Sequence, residues 1–182
     1  MFCLPKESGK TVFLQLVSAF RKGTLPQLGF SIFNRLGFVD RTYGKFSVIE
    51  LDFGTINALD FASLMTATKN MMLDAMLAYN QIRPRITNAN LMARFDKYYI
   101  GDFSAIEAVD VVRLLAAILK HIYPEKPVLL LVDNFDSPLL KLWDSVFIRF
   151  KESPETATQV WNSSHDFIEK LIKALHSIKL AL

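Results

Sequence analysis

With 182 residues, the chain is long enough for one domain with a sizeable core. Hydrophobic residues make up 51% and charged residues 21%, a globular composition that excludes a disordered chain. The net charge is +3, and its Lys and Arg are scattered rather than gathered on one stripe, so a nucleic-acid partner is not indicated. No stretch of about 18 apolar residues is free of charge, which argues against a spanning helix and a membrane partner. The mean hydropathy of +0.24 is high for a soluble monomer and implies a partner surface or missing cover. Cys3 is the single cysteine, and the first residues lack the pattern of a secretory signal; both suit a reducing, intracellular setting.

The predicted elements alternate in type. A short apolar run, Met1 to Leu4, precedes a helical pattern in which Val12, Phe13, Leu16, Val17 and Phe20 share one face. Gly23 and Pro26 end that helix. Phe46 to Phe53 reads as a strand bounded by Gly44 and Gly54. Helices are predicted over Ala58 to Gln81, Asn90 to Tyr99 and Ser104 to Ile122, the first broken by a segment containing Pro84. Val128 to Asp133 is uniformly apolar until its last residue, as a parallel strand covered on both faces should be. Helices at Leu139–Lys151 and Asp166–Leu180 complete the chain. Strands separated by helices predict an α/β sandwich with a mostly parallel sheet.

Two motifs carry chemistry. Pro5-Lys6-Glu7-Ser8-Gly9-Lys10-Thr11 lies between an apolar run and an amphipathic helix, the context of a phosphate-binding loop. Loop amides and the helix dipole would face phosphate oxygens there, Lys10 would reach the outer phosphates, and the Thr11 hydroxyl would meet magnesium. Gly-Lys-Thr alone also begins ordinary helices, and the complete pattern has Gly where this chain has Leu4. The second motif, Val128 to Asp136, ends an apolar strand in Asp133, which can face magnesium or merely cap the next turn. Together the two motifs point to a nucleotide site.

In these residues the chain resembles the AAA-ATPase-like family, predicted P-loop ATPases often joined to a nuclease-like domain. Its members typically read Arg-Pro-Arg-Arg-Phe-Gly-Lys-Ser, then a strand like V-I-x-L-D-F, an all-helical middle, and a strand ending I-D-E-Y-D-x-P. The counterparts here are Pro5 to Thr11, Val48 to Phe53, and Val132-Asp133-Asn134-Phe135-Asp136-Ser137-Pro138. The resemblance implies a P-loop NTPase-type three-layer sandwich spanning 1–182 that binds Mg2+ and ATP. Asn134 stands where the family has an acidic residue that polarises the attacking water, so the resemblance implies weak or absent hydrolysis. Lys6-Glu7 replaces a basic pair, which sets a carboxylate near the phosphates. The resemblance also implies an incomplete sheet, because the strand that follows the Asp133-type strand in such ATPases has no counterpart before Leu182. Such a gap would be closed by Met1–Leu4 moving onto Val128–Val132, or by another chain, so self-association or a protein partner is expected.

Asp52 and Asp136 are further candidates for the neighbourhood of the nucleotide, and Arg35, Arg41 or Arg149 for a charge-stabilising finger. Met65, Met71, Met72 and Met76 read as core filler, and the three histidines lack metal-ligand spacing to one another. Two further readings stand beside the ATPase: a catalytically silent scaffold module on the same fold, and a small-molecule kinase.

Overall fold

A computed structural model describes residues 10–24, 43–149 and 153–176, with the backbone alone at 10, 11 and 147–149. The Met1–Leu4 run, the loop residues Pro5 to Gly9, Arg35, Arg41 and the predicted helix ends at Lys151 and Leu180 lie outside the described residues or side chains, as does the side chain of Arg149. The described elements are α1 (Lys10–Lys22), β1 (Ser47–Asp52), α2 (Phe61–Leu77), α3 (Ala89–Tyr99), α4 (Ala108–Ile122), β2 (Val128–Asp133), α5 (Ser137–Arg149) and α6 (Pro154–His176). The protein is mixed α/β and mostly helical, and its described residues hold a two-stranded parallel sheet.

β1 and β2 run in register from Ser47 opposite Val128 to Asp52 opposite Asp133. The Ser47 amide donates to the Pro127 carbonyl at 3.0 Å. In a parallel ladder this turns the backbone groups of Ser47, Ile49 and Leu51 toward β2, and those of Val48, Glu50 and Asp52 outward. By the same alternation Val128, Leu130 and Val132 direct theirs to the outer edge of β2. Side chains alternate with the backbone. Ile49, Leu51 and Val128 enter the core formed with α2, α4 and α6, and Leu130 and Val132 pack against it. Glu50 points the other way, to Ser18 and Lys22 of α1. Helices therefore cover both faces of the sheet.

Capping explains most boundaries. Asp60 accepts from the Ser63 amide at 2.7 Å, and the Asp60 amide donates to Ser63 Oγ at 3.0 Å, a box that starts α2 three residues later than the composition of Ala58–Gln81 predicts. A 3-10 turn over Asn80–Arg85 holds Pro84, where no amide is available to continue an α-helix. The Asn88 side chain accepts from Asn90 and Leu91 and starts α3. The Glu107 carboxylate accepts from the Ser104 amide and hydroxyl, closing a turn over residues assigned above to a helix, so α4 begins at Ala108. Those two bonds hold the Glu107 carboxyl below its usual range.

The largest difference from the sequence reading is α6. It begins at Pro154, twelve residues before the predicted Asp166, because Pro154 suits a first helical position and its opening turns are polar. Its buried residues are Ser164, Ile168, Leu171 and Leu175. The core centres on α4, where Val111, Val112, Leu114, Leu115 and Ile118 are fully buried. Met71, Met72 and Met76 are buried as core filler, while Met65 is half-buried. On α1 the predicted apolar stripe is only partly used: Phe20 is buried, but Val12 is 68% and Phe13 59% exposed.

Candidate functional site at the carboxyl end of the strands

Three bonds fix the direction of α1. The Phe46 amide donates to Arg21 O at 3.3 Å, the Gly44 amide to Phe20 O at 3.1 Å, and the Ser18 hydroxyl to Glu50. Lys22 adds an ion pair to Glu50 at 2.6 Å. Arg21 thus lies beside the start of β1 and Ser18 farther along it, so the helix runs antiparallel to the strands. From Ser18 back to Lys10 the helix rises about 12 Å, while β1 advances about 7 Å from Glu50 to Asp52. The first turn of α1 accordingly reaches the level of the strand ends and extends roughly 5 Å beyond them. Lys10 and Thr11 form that first turn. Their backbone N–H groups have no helical acceptor, and the positive end of the helix dipole lies on the side of the molecule where the strands end.

At those ends Asp52 and Asp133 are in-register neighbours, their Cα atoms about one strand spacing of 4.8 Å apart. Asp133 is half-buried, and one of its carboxylate oxygens accepts from the Asn134 amide at 2.9 Å. Among the described side chains no cation pairs with it. A carboxylate with one oxygen held by a backbone amide and the other available has the donor chemistry of a magnesium ligand. Sequence spacing alone could not distinguish Asp133 from a turn cap. The structure shows that it does engage the turn, through a single oxygen.

Asn134 is placed differently from a residue aimed at water. Its backbone is left-handed, with φ 53°, a conformation asparagine tolerates. Its side-chain amide donates to Asp52 Oδ1 at 2.9 Å, and the Gly54 amide donates to the same oxygen at 2.8 Å. Asn134 thereby joins the ends of the two strands. A Cβ on Gly54 would stand 2.9 Å from both the Asn134 side-chain nitrogen and the Asp52 oxygen, so a larger residue would have to displace these two side chains. Lys141 of α5 secures the other side of the turn, donating to Gly54 O at 2.7 Å and Ile56 O at 3.0 Å. Composition pointed to Asp52 only as a neighbour of a ligand. Its partner was not visible, because the two residues are 82 positions apart.

Asp136 is exposed and lies on a separate groove of about 650 Å3 between α5 and α6, with Leu139, Leu140, Trp143 and Trp161. Asp52 lines another cleft, and among the described residues no hydrogen bond joins it to Asp136. His165, Asp166 and Glu169 stand along α6 with potential ligand atoms within 4.8 Å of one another, a grouping missed when the histidines were compared only among themselves. Glu169 is paired with Lys173 at 2.5 Å, which holds its carboxyl below the usual range. His121 shares a hydrogen bond with Thr87.

A second cleft, of about 690 Å3, follows the outer edge of β1 and meets the strand ends at Asp52 and Thr55. Tyr79 donates its hydroxyl across this cleft to the Val48 carbonyl. Burial first, and the Glu50 carboxylate second, push the Tyr79 hydroxyl above the usual tyrosine range, so it remains a donor. No helix among the described residues is long and apolar enough to cross a membrane. No family model, curated protein or solved structure matches this chain.

Proposed function

We propose that this domain binds magnesium nucleotide, ATP foremost, at the carboxyl end of its strands, and hydrolyses it slowly or not at all. The observation that supports this reading is the antiparallel course of α1, which carries its first residues, Lys10 and Thr11, to the level of the strand ends, where no cation among the described side chains pairs with Asp133. On this reading Pro5, Lys6, Glu7, Ser8, Gly9, Lys10 and Thr11 contact the phosphates, and the helix dipole adds to the charge of Lys10. Thr11 and Asp133 are the magnesium ligands. The bound ion would neutralise charge on the outer phosphates. The P-loop three-layer arrangement and the kinship with AAA-ATPase-like proteins belong to the same proposal.

Slow turnover follows from position 134. An amide cannot take a proton from water, and this amide is already committed to Asp52. That commitment also favours a second reading, a silent scaffold module, in which the strand-end network serves the fold alone. Calorimetry with magnesium-ATP, and turnover on the same sample, separates the two. Lys10→Ala is expected to weaken binding at least tenfold; equal affinity of the two proteins, or no binding by either, removes the nucleotide site.

A further inference from the structure

We infer that the outer edge of β2 is a docking edge for a second copy of this chain, paired antiparallel about a two-fold axis at Leu130. Val128, Leu130 and Val132 send their amides and carbonyls outward, and among the described residues no strand takes them up. β2 is the more apolar of the two described strands, yet five of its six residues are only half-buried. On β1, by contrast, Val48, Ile49 and Leu51 are buried. A run such as Val128-Leu-Leu-Leu-Val132 has the composition of an interior strand, which needs a neighbour on each side.

The choice of a second copy rests on self-complementarity. A two-fold axis at Leu130 sets Val128 opposite Val132, Leu129 opposite Leu131 and Leu130 opposite itself. Asp133 then faces Pro127, so no like charges meet. The pairs that exchange hydrogen bonds in this register are those of Val128, Leu130 and Val132, the residues whose backbone groups already point outward. The operation yields a continuous four-stranded sheet with both α1 helices on one face. That layer holds the exposed Val12, Phe13 and Leu16, which a second helix of the same kind would cover. The outer edge of β1 is a poor alternative. It is flanked by Glu50 and Asp52, which would oppose one another in a self-paired strand, and Tyr79 occupies its Val48 carbonyl.

Sedimentation of the intact chain over a roughly hundredfold concentration range tests the assembly, with a mass twice the chain's 20.7 kDa expected. The register is tested by placing the single thiol at the axis, in Cys3→Ser with Leu130→Cys. Antiparallel hydrogen-bonded partners stand about 5.5 Å apart at Cα, within disulfide range, so mild oxidation should link the two copies. Cys3→Ser with Ile106→Cys, at an exposed position outside the sheet, should stay unlinked. A monomer at every concentration overturns the proposal, whichever segment then covers the edge. A dimer that links through position 106 but not 130 overturns it equally.

Discussion

The two outer edges of the sheet are six residues long and share one core, yet they are finished differently. Along β1, the Val48 carbonyl accepts from Tyr79 and the Asp52 carbonyl from the Thr55 hydroxyl, while Glu50 carries Lys22 and Ser18. Along β2, no strand among the described residues takes up the outward backbone groups of Val128, Leu130 and Val132, and their side chains are apolar. Polar side chains that consume backbone groups and charges that repel a copy are the usual defences of a true edge. Among the described residues, β1 has both and β2 has neither. A strand's composition thus reports the neighbours it was built to have, and the described residues supply those of β1 but not all those of β2.

The strongest way to break this contrast compares truncations behind each strand. Phe53 is fully buried just after β1, and Phe53→Ala should cost about 3–5 kcal/mol. Leu131, half-buried in β2, should cost only about 1–2 kcal/mol as Leu131→Ala in dilute solution, rising as concentration fills the edge. Urea melts of both variants at two protein concentrations measure this, and a concentration-independent Leu131 cost would place the strand beyond any partner's reach.

The seam between the strands offers a second comparison. Asn134→Glu places a carboxylate against Asp52 and removes a bond that joins the strand ends, at about 1–2 kcal/mol. If the nucleotide reading holds, the same change restores a proton acceptor near the phosphates and raises turnover despite that loss. Thermal melts beside a phosphate-release assay read both; an unchanged melting temperature would mean that the Asn134–Asp52 bond contributes nothing.

The smallest effect belongs to the capped edge. Tyr79→Phe removes the hydroxyl that satisfies the Val48 carbonyl and should cost about 1 kcal/mol without changing oligomeric state. Denaturation and sedimentation of this variant check it, and new self-association would show that Tyr79, more than Glu50 and Asp52, is what closes that edge.

What the amino-acid sequence determined on its own is the local and periodic part. The apolar run of β2, the broad buried face of α4, the methionine-rich stripe of α2 and the break at Pro84 all follow from hydrophobic spacing and from proline's missing amide. Capping shifted boundaries by a few residues, and a polar opening hid the first half of α6, because periodicity is silent where few apolar side chains recur. Only the tertiary structure decided the rest. Asn134 and Asp52 meet across 82 residues, α1 turns its start toward the strand ends, and half of its apolar stripe stays exposed. None of these is encoded in any single segment. Each depends on how two strands register and on which of their faces and edges the helices reach.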